Sequence, residues 1–448
     1  MNATVVPVSG SSIAASQARA RIGLVVLGSI VAGLAFGLLL VLGVFAGGAE
    51  GEITGSALLA LGAGFMLLAA VSRRFTDQPQ SWALAPGIAC AVVGLSIVAL
   101  SPGDRFFVLA GWVWPAFLLI LVVWSVRGAR HSLRNWSRRA LLYPSLFVLA
   151  LIAAGGAFQA VAEAATSDPA PPGGRTFLVN GHSLYLSCVG AGAPTVVLFN
   201  GAGGRTTSWA WVQRIASSSR VCAFDRAGQG WSGGVPRRQD GHELASDLHG
   251  LLRAAQIPGP YVLAGHSVGG TYALVYAAQY PEQVAGLALI DSSSPYQFDL
   301  PTYPRDYWGL RRVTALFPSL SRVGLARLTA GGGSAKLPAD VRHAAGTFAS
   351  SPRDLTANRI EIGELPTIFD QAKALKSLDG KPLVVLTATV DNQRGWVAAQ
   401  DKLALLSTTS VHRTVPGATH EALLEDERYA TITARGIADV VRAAQARR

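Results

Sequence analysis

Residues Tyr261 to Gly270 read YVLAGHSVGG, an apolar run ending in the pattern G-x-S-x-G with Ser267 at its centre. The run suits a buried strand and Thr271 to Gln279 suits a helix, so the spacing predicts Ser267 on the sharp turn between them. Gly265 and Gly269 lack a Cβ, which lets the backbone hold a strained serine with its hydroxyl exposed. Serine is a poor nucleophile at its free pKa. It needs an imidazole to take its proton and a carboxylate to fix that imidazole's tautomer and stabilise its cation. The chemistry of such a set is acyl transfer.

Eight histidines compete for the imidazole role. His420 lies in PGATHE, directly after the last predicted strand, where a loop carries it across the strand ends toward Ser267. His131 falls among the membrane-type segments, His412 lies within a strand, and His266 adjoins Ser267 but points elsewhere on the turn. His182, His242, His249 and His343 occupy earlier or inserted positions. For the carboxylate, Asp391 follows the run PLVVLT by a few residues and is the first choice. Asp291, which ends the preceding strand in ALIDSSS, is the alternate. A tetrahedral intermediate also needs backbone N–H groups aimed at its negative oxygen. The glycine-rich FNGAGG at 199–204 assigns one donor to Ala202, and Val268, the residue after the nucleophile, supplies the other.

The elements that must position these residues are legible as a repeating pattern. TFLVNGHSLYL sets Asn180-Gly181 between two alternating runs, a hairpin signal. Thr195 to Phe199, Val221 to Phe224, Tyr261 to Ala264, Gly286 to Ile290, Leu383 to Leu386 and Val411 to Val415 read as buried parallel strands. Helical stretches such as Glu243 to Ala255, Thr271 to Gln279 and Arg428 to Ala444 intervene or close the chain. Alternation of this kind implies a parallel sheet covered on both faces. The interval from Ser292 to Lys381 is too long for a simple crossover and reads as a helical cap inserted at about 292–381.

Taken in order, GHSVG, FNGAGG, DRAGQGWS at 225–232, Asp391 and His420 resemble the α/β-hydrolase fold superfamily, over residues 175–448. The resemblance implies an eight-stranded, mostly parallel α/β sheet with an antiparallel second strand and a helical cap. It also implies a Ser-Asp-His triad that acts without metal or organic cofactor. Many members have His-Gly where this chain has Asn200-Gly201. The second and fourth strands adjoin in that fold, which brings Cys188 and Cys222 within reach of each other; two unpaired buried thiols are the expectation, with a disulfide as the alternative.

Ahead of this domain the chain is far more apolar. Of 448 residues, 50% are hydrophobic and only 15% charged. Ile22 to Ala46, Ile53 to Ser72, Trp82 to Leu100, Phe106 to Val126 and Ala140 to Val161 run without an acidic or basic side chain, each long enough to span a bilayer. An all-α membrane domain of five transmembrane helices at 22–164 is the expectation, after a cytoplasmic segment at 1–21 and before a linker at 165–174. Arginines crowd alternate gaps, at Arg19 and Arg21, Arg73 and Arg74, and Arg127 to Arg139, whereas Glu50, Glu52, Asp104, Glu163 and Asp168 hold the others. That bias puts the N-terminus in the cytoplasm and everything after the fifth span outside. The pairs Gly33 and Gly37, and Gly43 and Gly47, suit close helix packing within the chain. Net charge is +11, spread without a basic run beyond the spans, so nucleic-acid binding is not expected.

The sequence therefore points to a plasma-membrane serine hydrolase with its catalytic domain outside, the bilayer as a partner and an ester, thioester or lipid-like small molecule as substrate. Two other classes share parts of the pattern. An aminopeptidase of the proline iminopeptidase type would need a cap carboxylate for the substrate's ammonium, and Glu361 and Glu364 are available. A binding or signalling module would carry the triad idle. Nothing in the residues sets an oligomeric state.

Overall fold

The computed structural model describes residues 10–165, 170, 173–216, 219–234, 238–333 and 335–447. The chain before residue 10 and most of the linker at 165–174 lie outside the described residues. Two compact units result: Met1–Ala165 with Ser319–Leu325, and Thr166–Pro318 with Ala326–Arg448.

The first unit contains helices α1 (Gly10–Leu39), α2 (Glu50–Phe75), α3 (Leu84–Leu100), α4 (Asp104–Ala110), α5 (Trp114–Ser132), α6 (Trp136–Arg139) and α7 (Tyr143–Ala165). Four stretches are long and apolar enough to cross a membrane: Ile22–Val44, Glu50–Phe75, Ser81–Leu100 and Tyr143–Ala165. The fifth expected span, Phe106 to Val126, is not one helix, because α4 and α5 meet at 51°. Pro115 falls in the first turn of α5, where a missing N–H costs nothing; inside a continuous helix it would remove a bond to the preceding turn. Leu24, Leu34, Leu95, Ile120 and Phe147 are each more than 60% exposed, the inverse of a water-soluble bundle. Between helices, small residues bring backbones together. A Cβ on Gly33 would lie 2.9 Å from the Ala60 carbonyl oxygen, and one on Gly37 2.7 Å from the Ala60 Cβ, so that pair is used within the chain. Segment Ser319–Leu325, which the sequence assigns to the cap, groups with this unit. There the Arg322 Nε donates to Glu50 at 2.9 Å, and its Nη2 donates to Asp104.

The second unit is built on β1 (Gly174–Val179), β2 (His182–Val189), β3 (Val196–Phe199), β4 (Val221–Phe224), β5 (Tyr261–His266), β6 (Val284–Ile290), β7 (Leu383–Ala388) and β8 (Ser410–Val415). They form one sheet in the order β1-β2-β4-β3-β5-β6-β7-β8. Strand β2 is antiparallel to both of its neighbours, and pairing from β4 to β8 is parallel. Asn180 and Gly181 both take positive φ, as a two-residue hairpin turn requires.

Register settles the cysteines. Cys188 and Cys222 are directly opposed on β2 and β4, their Cα atoms 4.0 Å apart, and they are disulfide-bonded. Two free thiols do not occur there, because the pairing that builds the sheet leaves the two sulfurs facing each other.

The helices of this unit are α8 (Ala210–Ile215), α9 (Gly241–Ala254), α10 (Val268–Gln279), α11 (Tyr303–Arg322), α12 (Leu325–Gly333), α13 (Ala339–Ala349), α14 (Pro352–Ala372), α15 (Trp396–Ala404), α16 (Ala422–Glu425) and α17 (Glu427–Gln445), α11 and α12 each running across the boundary between units. Alternate strand residues feed two cores. Val197, Phe199, Leu263, Leu287 and Val385 pack with α9, α10 and α14, whereas Val196, Leu198, Val262, Ala264 and Leu386 pack with α17. That two-sided burial explains why the strands read as unbroken apolar runs. Helices α11 to α14 lie between β6 and β7, where the long interval predicts a cap.

Candidate active site

Strand β5 ends at His266, α10 begins at Val268, and Ser267 between them holds φ 57° and ψ −130°, a backbone that L-residues rarely adopt. The flanking glycines are obligatory. A Cβ on Gly265 would sit 2.5 Å from the Gly269 oxygen, and one on Gly269 would sit 2.2 Å from the Phe199 oxygen. The end of β6 holds the turn from the other side: the Ser267 N–H donates to the Ile290 carbonyl at 3.2 Å, and the Ser293 N–H donates to the Ser267 carbonyl at 2.9 Å. The strained serine is thus tied to the residues on either side of Asp291.

The structure brings Asp291, and not Asp391, to the histidine. His420 Nδ1 lies 2.6 Å from Asp291 Oδ2. The other carboxylate oxygen of Asp291 accepts from Trp396 Nε1 at 2.7 Å and from the Ala388 N–H at 3.1 Å, and its side chain is 1% exposed. Asp391 lies three residues past the end of β7 and is exposed. The physical reason lies in how the chain leaves β6 and β7. Strand β6 is the direct neighbour of β5, with His266 opposite Ile290, so the next residue after β6 emerges beside the serine turn. An aspartate one strand further out and three residues further on turns to solvent instead.

His266 contributes more than its sequence position suggests. Its ring lies against that of His420, tilted by 36° with centroids 4.3 Å apart, and its Nε2 lies 2.9 Å from the His420 carbonyl oxygen. Carbonyls only accept, so Nε2 carries the proton. Burial, and secondly the charge of His420, hold His266 well below the usual histidine range, which keeps it neutral. With Nδ1 of His420 committed to Asp291, Nε2 is the ring nitrogen left for a hydroxyl.

The loop after β3 lies against this turn: a Cβ on Gly201 would approach the Ser267 Cβ to 3.1 Å. Ala202 is exposed in that loop, and Val268 is the first residue of α10, where an N–H has no intrahelical acceptor. The Asn200 side chain turns away to donate to the Phe224 carbonyl at 2.8 Å. Beneath the loop, Arg226 donates from Nη1 to the Asn200 carbonyl at 2.7 Å and from Nη2 to the Gly201 carbonyl at 2.6 Å. It pairs at 2.9 Å with Glu361 of α14, which also accepts from Gln229 at 3.0 Å and Tyr272 at 3.3 Å. Burial first, and then Glu361, push the Tyr272 hydroxyl well above its ordinary value, so it remains a donor. Among the described residues no group of three or more His, Cys, Asp or Glu side chains is arranged to hold a metal ion.

Residues 194–330 match the family model described as alpha/beta hydrolase fold. The domain also resembles the crystal structure titled DBJA (mutant dbja delta), with a TM-score of 0.50 at 17% identity, over 61% of this chain and 99% of that one. Together they support the α/β-hydrolase superfamily. A 2-hydroxy-6-oxononadienedioate/2-hydroxy-6-oxononatrienedioate hydrolase of Paraburkholderia xenovorans is 35% identical over 125 residues, 26% of this chain and 42% of the relative. A dihydrolipoyllysine-residue acetyltransferase component of an acetoin cleaving system, from Pseudomonas putida, is 35% identical over 149 residues, 33% of this chain and 38% of the relative. The chain thus spans less than half the length of either relative.

Proposed function

We propose that this chain is a membrane-anchored serine hydrolase that cleaves carboxylic esters or thioesters through an acyl-enzyme. The observation that carries the reading is the contact of His420 with buried Asp291, beside the strained turn that presents Ser267. In this mechanism Ser267 Oγ attacks the acyl carbon while His420 Nε2 takes its proton. The N–H groups of Ala202 and Val268 hold the resulting oxyanion. On collapse, the leaving alcohol or thiol takes the proton from His420 and departs, with the acyl group bonded to Ser267. Water then attacks with His420 as base, releasing the acid and the free serine. Asp291 keeps His420 in the required tautomer throughout.

Of the two cap carboxylates open to the aminopeptidase reading, Glu361 is already bonded to Arg226, and Glu364 pairs with Arg238 at 3.5 Å. Ser267→Ala should abolish hydrolysis of short p-nitrophenyl esters by the detergent-solubilised chain. Hydrolysis at the original rate in that variant would rule the reading out.

For placement, the proposal is a multi-pass plasma-membrane protein with a cytoplasmic N-terminus and the hydrolase domain outside. Two things support it: the arginine bias of the loops, and the Cys188–Cys222 disulfide, a bond that persists in oxidising compartments. A C-terminal reporter active only outside the cytoplasm is the expected result, and activity only inside would reverse the orientation.

A further inference from the structure

Arg226 and Glu361 form a buried ion pair that no step of the proposed mechanism uses; their side chains are 5% and 6% exposed. Such a pair is a poor way to gain stability, because the cost of desolvating two charges rivals their attraction. Its partners suggest another role. The guanidinium donates to the carbonyls of Asn200 and Gly201, and the carboxylate of Glu361 accepts the Gly203 N–H at 3.0 Å. Between these clamps lies the peptide group joining Gly201 to Ala202. A trans peptide is planar, with its C=O and N–H directed oppositely. With the Gly201 carbonyl held by Arg226 and also by the Gly204 N–H at 3.0 Å, the Ala202 N–H must point away from Arg226.

We infer that Arg226 and Glu361 are positioning residues for the oxyanion loop. Arg226 sets the direction of the Ala202 N–H, and Glu361, carried by the cap helix α14, holds both Arg226 and the next N–H in the loop. The oxyanion site is then complete only while α14 is seated, which makes the cap part of the reaction centre as well as its cover. This rests on the serine-hydrolase reading above.

The test uses the full-length chain in detergent, assayed for kcat, KM, thermal unfolding and inhibition by a trifluoromethyl ketone, whose hemiketal oxyanion occupies the same site. Arg226→Met should lower kcat by about 10- to 100-fold and weaken the ketone by a similar factor, with KM little changed. Glu361→Gln should shift both in the same direction. Each single variant leaves a buried charge unpaired and should unfold at lower temperature. The double variant Arg226→Met, Glu361→Met removes both charges and should recover thermal stability without recovering kcat. Recovery of kcat together with stability would overturn the inference by reducing the pair to a structural role, as would single variants with unchanged kcat and ketone affinity. Hydrolysis that survives Ser267→Ala would instead sink the reading beneath it.

Discussion

Asp291 takes a left-handed backbone at the tip of β6, and that turn aims its carboxylate at His420 and Trp396. Ser267 carries a similar strain one strand away. Two strained residues on adjacent strands are the sort of cost that a folded chain sustains where geometry matters more than local comfort. Close by in sequence, Glu425 shows what burial does to a carboxyl. It is pushed up to about 7, by burial first and by Glu421 second, from an ordinary value of 4.5. The folded chain keeps a proton that the unfolded chain releases between those values. The stabilisation is therefore complete below the ordinary value and is lost as pH rises through about 7, on the order of 3 kcal/mol in all. Glu425→Gln should flatten the pH dependence of thermal unfolding across that window; a profile as steep as that of the parent would contradict the assignment. The place of Ser267 on the turn between β5 and α10, and of His420 in the loop after β8, was readable because each follows its strand by a short offset. The choice between Asp291 and Asp391 was not readable that way, since both follow a strand end and only the path of the chain after β6 and β7 separates them.

Among the elements, the strands were the most legible, because burial on both faces writes itself as continuous Val, Leu, Ile and Ala runs. The hairpin at Asn180-Gly181 and the interval left for the cap were legible for equally local reasons. Features decided by packing partners were less legible. The broken pair α4 and α5 reads as one span by hydropathy alone, since apolarity does not report where Pro115 restarts a helix. Segment Ser319–Leu325 reads as ordinary cap, and its place with the first unit depends on Glu50 and Asp104, more than two hundred residues away. The disulfide depended on register, which sets Cys188 opposite Cys222. The contact of the His266 ring with that of His420 left no trace in the sequence beyond the histidine itself.

For the molecule as a whole, two units with opposite surfaces occur in one chain. The first exposes leucine, isoleucine and phenylalanine over helices of bilayer length, and the second buries the same residue types around a sheet. The apolar helices and the candidate site are thus separable in sequence, and the hydrolase proposal concerns the second unit alone. Its central claim is that one carboxylate, at the end of β6, serves His420. The most direct measurement compares kcat for Asp291→Asn and Asp391→Asn in the full-length chain. The account predicts a fall on the order of 10³- to 10⁴-fold for Asp291→Asn, as expected when the imidazole loses its tautomer control, and little change for Asp391→Asn. A large loss in Asp391→Asn, with Asp291→Asn still active, would contradict it.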